Sequence, residues 1–358
     1  MTATAEGAVQ HASCTGEQPE DFRGQHRCVI LAVPTPPFRS LFRYCHAIPF
    51  IASLEHVSIP KAKQLLFVIH GARAELPAVR RQIDRARAAG HTVTPRITWT
   101  RGDATNFALS GAREGVDTIV ALGGDGTVNE TLNGLSSHDV PLGIIPLGTA
   151  NDFARQTGIP LDPDAALDLI LGEEPVRIDT GELNGRRFLN VSTAGIGAEA
   201  TAETRPESKE ALGSLAYAIT GVRKLVELQP VAAHFSGPGL ELETTFLVLA
   251  VGNGRSTGGG TLLTPKASLF DGLLDVCVVE PRARREFARL ALRFRKGLHL
   301  GQKGVHYLQL PSLRVGAARP ITVNVDGETT TVTTLNYHAR PGDLRVHIRL
   351  PPDGGRGA

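Results

Sequence analysis

Two short glycine-rich segments carry the residue types that can hold a phosphate group. The first is Gly123-Gly124-Asp125-Gly126-Thr127-Val128-Asn129-Glu130, and the second is Pro146-Leu147-Gly148-Thr149-Ala150-Asn151-Asp152. Three glycines within four residues leave the first backbone unhindered, so several N–H groups can point into one concavity that a phosphate can approach. A strand before such a loop and a helix after it form an arrangement that holds phosphate without many cations.

The neighbouring sequence supplies those elements. An apolar, β-branched run from Thr118 to Leu122 predicts a buried strand before the first segment, and Leu142 to Pro146 predicts another before the second. A single glycine turn after a strand is often purely structural. Two such loops at the ends of successive strands would instead meet at the carboxyl edge of one sheet, where open α/β folds bind ligands.

Asp125 adds a second chemical indication. Its carboxylate would repel a phosphate unless a divalent cation lay between them. We therefore interpret Asp125 as a candidate residue for binding a nucleotide together with its magnesium ion.

The fold class predicted for the chain is α/β with two domains. Strands and helices alternate over residues 63–183, which indicates an N-terminal nucleotide-binding domain with a mostly parallel sheet. In this domain Asp103 is predicted to be the N-cap of a helix from Ala104 to Glu114. Short strands, among them Arg187 to Val191, outnumber helices over residues 184–352 and predict a β-rich, sandwich-like domain. Two helices are expected within it, from Lys209 to Leu228 and from Arg284 to Lys296.

The two ends of the chain lack these patterns. Residues 1–62 mix polar residues, prolines and short apolar patches, and we interpret them as a disordered extension or as the product of a start codon assigned too far upstream. Residues 353–358 are predicted to be a frayed tail.

Bulk composition narrows the class of protein. The 358 residues have a formal net charge of +2, which argues against a nucleic-acid-binding surface spread over the whole molecule. No apolar run approaches the roughly 20 residues needed to cross a bilayer. The four cysteines have no metal-ligand spacing, and no signal peptide is recognised. We therefore expect a cytoplasmic protein, soluble or peripheral at the inner face of the membrane.

The motifs together resemble a known family. The two glycine segments are similar to the signature of the diacylglycerol kinase catalytic domain. NAD kinases and phosphofructokinases share the first segment, whereas the second favours lipid kinases. Further motifs resemble the bacterial YegS-type lipid kinases, and the similarity spans Leu65 to Pro352. They are, in order along the chain, Glu203-Thr204, Ala211-Leu212-Gly213-Ser214, Leu228-Gln229-Pro230, Gly252-Asn253-Gly254-Arg255 and Gly258-Gly259-Gly260.

The resemblance implies roles for particular residues. Thr98, in the stretch Thr98-Trp99-Thr100-Arg101-Gly102-Asp103-Ala104, would contact ATP, as would Thr149 in the second loop. Glu328 would be the general base that takes the proton from a lipid hydroxyl, although Asp326-Gly327-Glu328 also reads as a plain hairpin turn. The phosphate loop would comprise Gly124, Asp125, Gly126, Thr127, Val128, Asn129 and Glu130.

A second metal site is implied by the same resemblance. The stretch Ser268-Leu269-Phe270-Asp271-Gly272-Leu273 is similar to a magnesium-binding loop of the family. Asp271 would supply a carboxylate, and Ser268 and Leu273 would supply main-chain carbonyls. Hard cations prefer these oxygen ligands, so Mg²⁺ is expected there, with Ca²⁺ as the alternative.

The helix from Arg284 to Lys296 could contact a membrane. It combines arginines with Phe287, Leu290 and Phe294 at helical spacing. A helix of this kind can lie on an anionic bilayer, where a lipid kinase would meet its substrate. The alternative is a packed apolar stripe with a solvated charged face.

The sequence thus predicts an ATP-dependent lipid kinase that transfers the γ-phosphoryl group to phosphatidylglycerol or diacylglycerol. A sphingoid-base or ceramide kinase differs only in the acceptor, and an NAD kinase would use the same glycine–aspartate loop on a soluble substrate. The non-enzymatic alternative is a nucleotide-sensing pseudokinase. The sequence does not indicate the oligomeric state.

Overall fold

The computed structural model describes residues 62–135, 138–195 and 230–349. The expected terminal extension (except Ala62), the expected helix from Lys209 to Leu228 and the expected tail lie outside these ranges. Within them, no helix is long and apolar enough to cross a bilayer.

The N-terminal domain has a parallel sheet covered by helices. Its strands lie side by side in the order β4-β3-β1-β2. They are β1 (Gln64–Ile69), β2 (Thr92–Ile97), β3 (Thr118–Gly123) and β4 (Leu142–Pro146). Its helices are α1 (Pro77–Ala88), α2 (Asp103–Glu114), α3 (Asp125–Gly134), α4 (Asp152–Gln156) and α5 (Pro163–Gly172). Every residue of β3 and β4 is buried, as expected for strands covered on both faces.

The C-terminal domain is β-rich, so the predicted two-domain α/β class is confirmed. Its one helix among the described residues is α6 (Arg284–Phe294). Strand β5 (Val176–Leu183) leads into this domain. The shorter strands of the domain are β6 (Arg186–Phe188), β7 (Val191–Gly195), β8 (Val231–Gly237), β9 (Leu240–Phe246), β10 (Val248–Gly252), β11 (Leu274–Val279) and β12 (Val305–Leu310). Two long strands, β13 (Ser312–Val325) and β14 (Glu328–Val346), form a hairpin. Strand β5 pairs with β14 and β6.

Strand β14 joins the two domains. It begins at Glu328 beside β13, and its far end pairs in parallel with β4, where Val346 faces Leu142. Leu344, Val346 and Ile348 accordingly pack in the core of the N-terminal domain. The strand that carries the predicted base is therefore anchored in the nucleotide-binding domain at its other end.

Two local predictions from the sequence are wrong. The N-cap of α2 is Gly102, which has a left-handed backbone, and Asp103 is the first helical residue. The carboxylate of Asp103 instead accepts hydrogen bonds from the N–H groups of Trp99 and Thr100, at 2.7 and 2.8 Å, and so shapes the turn before the helix. The predicted strand Arg187 to Val191 is divided between β6 and β7, because the N–H groups of Leu189 and Asn190 bind a carboxylate.

We expect His347, which follows β14, to make stability sensitive to acid. Its Nδ1–H donates to the carbonyl of Glu173 at 2.9 Å, and Nε2 has no partner among the described residues. Burial is the main cause that lowers its pKa, to about 4 from 6.5. The unfolded chain therefore binds the proton more readily, and stability present above pH 6.5 is lost as the pH falls toward 4.

Urea unfolding of wild type and His347→Gln would measure this loss. Glutamine can still donate to the Glu173 carbonyl but does not titrate. Between about pH 7.5 and pH 5, the free energy of unfolding of the wild type should fall by about 2 kcal/mol more than that of the variant. Equal losses in both proteins would contradict the assignment.

Candidate active site

The two glycine loops lie against each other at the carboxyl edge of the parallel sheet. Strands β3 and β4 pair in parallel up to Gly123 and Pro146, and Leu147 N–H donates to the Gly123 carbonyl at 2.8 Å. A Cβ atom added to Gly148 would lie 2.5 Å from the Cα atom of Gly124, closer than real Cβ atoms approach backbone. Gly148 therefore permits the contact between the loops.

Asn151 fixes the shape of the second loop. Its backbone is left-handed, with φ of 49°, a conformation that asparagine tolerates better than most residues. Its side chain spans the loop, accepting from Gly148 N–H at 3.1 Å and donating to the Gly148 carbonyl at 2.9 Å.

A cleft of about 950 Å³ opens beside the first loop. Gly124, Gly126, Thr127, Glu130 and Gly148 line it. Residues 70–75 and the stretch Ile97 to Arg101, which includes Thr98, also line it. Thr98 Oγ1 accepts a hydrogen bond from Gly71 N–H at 3.2 Å. Trp99, the one tryptophan of the chain, also lines the cleft and is 87 % exposed.

Two carboxylates lie at the junction of the loops. Asp125 Oδ1 accepts from Phe153 N–H at 3.3 Å, and burial, followed by the charge of Asp152, raises the pKa of Asp125. The carboxylate of Asp152 accepts from the N–H groups of Gly259 and Gly260, at 2.9 and 2.8 Å. The Gly258-Gly259-Gly260 motif of the second domain is thereby bonded to the second loop of the first.

The turn before Glu328 is held by a third carboxylate. Asp326 and Gly327 both have positive φ, 47° and 94°, and form the two-residue turn between β13 and β14. The Asp326 carboxylate accepts from the N–H groups of Leu189 and Asn190, at 2.7 and 3.1 Å. Burial, with a contribution from the charge of Asp125, raises the pKa of Asp326 to about 6.

Asn129 links this turn to the N-terminal domain. Its Nδ2 donates to Asp326 Oδ2 at 3.1 Å and to the carbonyl of Arg187 at 3.2 Å. Its Oδ1 accepts from Arg186 at 3.0 Å. Since the Asn129 side chain is 1 % exposed and these contacts engage it, it joins the two domains and does not line the cleft.

Glu328 forms ion pairs with arginines from both domains, and one of them, Arg101, lines the cleft. Its side chain is 14 % exposed, and its Oε2 forms ion pairs with Nη2 of Arg101 and Nη2 of Arg186. Arg101 belongs to the cleft wall, whereas Arg186 lies on β6 and also contacts Asn129. The ion pair between Arg101 and Glu328 therefore crosses from one domain to the other.

The remaining predicted nucleotide contacts occupy different surroundings. Val128 packs in the hydrophobic core, so it can present only backbone to a ligand. Glu130 Oε2 accepts from Gly102 N–H at 3.0 Å and supports the turn between β2 and α2. Thr149 is exposed at the second loop, next to Gly148. The structure thus places Thr98, Gly124, Gly126, Thr127 and Glu130 around one cleft, with Thr149 beside it.

The predicted metal loop lies in the C-terminal domain, ahead of β11. Asp271 is exposed, and its Oδ1 accepts from Leu273 N–H at 3.0 Å, while Ser268 Oγ accepts from Phe270 N–H at 3.2 Å. Partial burial and then the charge of Asp179 raise the pKa of Asp271. Asp179 itself accepts from the N–H groups of Gly272 and Gly342.

The donor set of this loop fits a hard cation. It offers one charged carboxylate and neighbouring main-chain oxygens, the ligand types that Mg²⁺ and Ca²⁺ take. Nowhere in the described ranges do three His, Cys, Asp or Glu side chains come together as a metal-binding group. Any ion here would therefore depend on Asp271 and on backbone carbonyls such as those of Ser268 and Leu273.

Several residues of the site were not assigned a role from the sequence. Arg101 was visible only as an unassigned position between Trp99 and Gly102, and Asp152 only as the end of the second motif. Nothing in the local sequence of Arg186 indicates a contact with Glu328, because they meet only after the β5–β6 turn and the β13–β14 hairpin are formed.

Comparison with known protein families divides the chain into two domains between residues 183 and 190, near the boundary expected from the sequence. Residues 65–183 match the diacylglycerol kinase catalytic domain. Residues 190–348 match the YegS C-terminal NAD kinase beta sandwich-like domain.

Individual proteins match over most of the chain. A probable lipid kinase YegS-like protein of Pseudomonas fluorescens strain Pf-5 is 40% identical over 298 residues, covering 81% of this chain and 96% of the relative. The corresponding Pseudomonas aeruginosa PAO1 protein is 41% identical over 291 residues, covering 80% and 94%. A putative diacylglycerol kinase from Bacillus anthracis strain Sterne has a similar solved structure, with a TM-score of 0.68, 27% identity and coverage of 80% and 97%.

Proposed function

Because the chain belongs to the family of YegS-like lipid kinases with a diacylglycerol kinase catalytic domain, we propose that it transfers the γ-phosphoryl group of ATP to a membrane-lipid hydroxyl. The acceptor we propose is phosphatidylglycerol, with diacylglycerol as the second candidate. The observation that carries the proposal is that both glycine loops line one cleft and that Arg101, which also lines it, forms an ion pair with Glu328.

ATP would enter the cleft with its phosphates toward the glycine loops. Gly124 and Gly126 expose backbone there, and the N-terminus of α3 favours negative charge. Thr98 in the cleft wall and Thr149 beside the cleft would provide hydroxyl groups. Asp125 would face the Mg²⁺ that accompanies ATP, and the ion would neutralise charge on the phosphates when bound.

Glu328 would act as the general base. Both arginines contact Oε2, so Oε1 is the oxygen that can accept the hydrogen of a lipid hydroxyl. As that hydrogen moves to Oε1, the hydroxyl oxygen forms a bond to the γ-phosphorus and the bond to the β-phosphate oxygen breaks, releasing ADP. Arg101 stands between base and cleft, where its charge would also face the transferring phosphoryl group.

The Asp271 loop would hold a second ion, Mg²⁺ in our proposal and Ca²⁺ as the alternative. The loop lies outside the nucleotide cleft and is bonded through Asp179 to the segment near Gly342 on β14. An ion there would offset the repulsion between Asp271 and Asp179 and would steady the strand that begins at Glu328.

Phosphate transfer from labelled ATP-Mg to a panel of acceptors tests the proposal. The panel comprises phosphatidylglycerol, diacylglycerol and ceramide dispersed in detergent, together with soluble NAD. We expect transfer to a glycerol-based lipid. Transfer to ceramide would identify the acceptor as a sphingoid lipid, and transfer to NAD alone would contradict the assignment of a lipid acceptor.

A further inference from the structure

Helix α6 turns one face to the protein and the opposite face to solvent. Phe287, Leu290 and Phe294 are buried and pack with β10 and β11 residues such as Ala250 and Cys277. These contacts fix the rotation of the helix. Arg285, Arg289 and Leu292 follow one another at spacings of four and three residues, so they share the outward face.

The segment that carries this outward face is strongly basic. Between residues 284 and 296 the chain has six cationic side chains and one carboxylate, Glu286. The cationic residues are Arg284, Arg285, Arg289, Arg293, Arg295 and Lys296. Arg289 and Arg293 also line a groove of about 430 Å³, which Arg282 and Lys303 share with Glu280 and Glu286.

Two leucines project from the same region. Leu292 is 73 % exposed on the outward face, and Leu298 is 61 % exposed just beyond the helix. Just beyond the end of α6, Gly297 has a left-handed backbone, and there Leu298 N–H donates to the Arg293 carbonyl and Gly297 N–H donates to the Phe294 carbonyl. In such an ending the apolar residue after the glycine usually packs back on the helix, whereas Leu298 remains exposed.

The helix is also connected to the active site. Leu262 N–H donates to the Phe294 carbonyl at 3.0 Å, and the ring Nε2 of His299 lies 3.1 Å from the Leu263 carbonyl. Gly259 and Gly260 lie three residues before Leu262 and Leu263 in the chain, and their N–H groups bind Asp152. Residues 259–263 thus connect the end of α6 to the junction of the two glycine loops.

We propose that the outward face of α6, with Leu292 and Leu298, is a docking surface for an anionic phospholipid bilayer. Arginines attract the anionic headgroups, and the two leucines enter the interface between headgroups and acyl chains. The inference rests on the proposed function, since an enzyme acting on lipid must meet its substrate at a membrane. Docking through this helix would hold the cleft close to the bilayer surface.

Vesicle co-sedimentation without ATP tests the surface directly. The vesicles contain either phosphatidylcholine alone or equal parts of phosphatidylcholine and phosphatidylglycerol. We expect wild type to bind the mixed vesicles and Arg285→Glu/Arg289→Glu to bind at least about 10-fold more weakly, because each basic residue near an anionic surface contributes about five-fold. Leu292→Ala/Leu298→Ala should weaken binding at high salt, where attraction between charges is screened.

A matched double reversal provides the control. Arg113→Glu/Arg314→Glu makes the same change in net charge at exposed positions on α2 and β13, and it should bind as wild type does. Equal weakening by both double reversals would assign binding to net charge and overturn the docking surface. Failure of wild type to bind mixed vesicles, or binding to an anionic polymer such as RNA in place of vesicles, would overturn it too.

Activity distinguishes this proposal from the proposed function. The α6 variants should phosphorylate detergent-dispersed lipid at the wild-type rate and vesicle lipid more slowly. Normal kinase activity, combined with vesicle binding that the α6 substitutions do not change, would contradict the docking surface but not the proposed kinase function. Vesicle binding that depends on α6, without transfer to any lipid, would contradict the kinase function but not the docking surface.

Discussion

Replacement of Glu328 by glutamine is expected to lower kcat for lipid phosphorylation by about 10²- to 10⁴-fold while ATP binding is retained. Glutamine keeps the size of the side chain and an oxygen for the arginines but cannot accept the proton. Since Glu328 touches the cleft only through Arg101, the nucleotide should still bind. Initial rates with detergent-dispersed lipid measure kcat, and the fluorescence of Trp99, the one tryptophan, reports ATP binding from the cleft wall.

Glu243→Gln is the matched control, because Glu243 is exposed on β9 and the substitution is chemically identical. It should leave both kcat and ATP affinity unchanged. A Glu328→Gln enzyme within a few-fold of the wild-type rate would mean that another group removes the proton. Loss of the fluorescence response in the same variant would mean that the ion pairs with Arg101 and Arg186 are needed to form the cleft.

The Arg101→Ala variant distinguishes two possible roles of Arg101 in its ion pair with Glu328. If Arg101 serves only to hold Glu328, its loss should lower kcat in the wild-type background and have little further effect in the Glu328→Gln background. If its charge also faces the transferring phosphoryl group, the loss should persist in the Glu328→Gln background and the KM for ATP should rise.

The parts of the site that could be predicted from the sequence are those whose structure is determined by residues close together in the chain. An apolar run followed by glycines fixes a buried strand and its loop, and two successive runs place both loops at one sheet edge. Thr98 lies in the cleft wall for a similar reason, since it follows directly after β2 and accepts from Gly71, which lies just after β1. The two-domain class follows from the change in strand pattern near residue 184.

The contacts that complete the site could not be predicted because their partners are distant in sequence. Arg101 and Glu328 are separated by 227 positions, and Asn129 and Asp326 by 197. These contacts depend on the course of β14, which starts beside β13 and ends in the other domain's sheet. Asn129 shows the consequence, because its motif indicated a phosphate contact whereas its buried side chain joins the domains.

The failures at Asp103 and at Arg187 to Val191 both involve a carboxylate that accepts hydrogen bonds from backbone N–H groups. Asp103 binds the turn before its own helix, and Asp326 takes the N–H groups of Leu189 and Asn190 from a predicted strand. At Leu189 and Asn190 the carboxylate thereby divides the predicted strand, since buried N–H groups must find an acceptor.

Alanine substitutions at Gly126 and Gly148 are expected to lower ATP affinity at least about 10-fold, equivalent to 1.4 kcal/mol, for two different reasons. A Cβ at Gly126 would meet no protein atom within 4 Å, but it would project at the cleft where phosphate must approach. A Cβ at Gly148 would press on Gly124 Cα and, at 2.7 Å, on Asn151 Oδ1, so the two loops must separate. Such overpacking costs about 1–3 kcal/mol of stability.

Stability and affinity measured together distinguish the two causes. Gly126→Ala should weaken the Trp99 fluorescence response to ATP while thermal stability stays the same or rises slightly, because alanine favours helix. Gly148→Ala should lower both stability and affinity. Gly172→Ala, at the end of α5 with no atom within 4 Å of the added Cβ, should leave ATP affinity unchanged, with thermal stability the same or slightly higher for the same reason as Gly126→Ala. Wild-type ATP affinity in Gly126→Ala would mean that the phosphates bind away from the first glycine loop, and the proposed orientation of ATP in the cleft would be wrong.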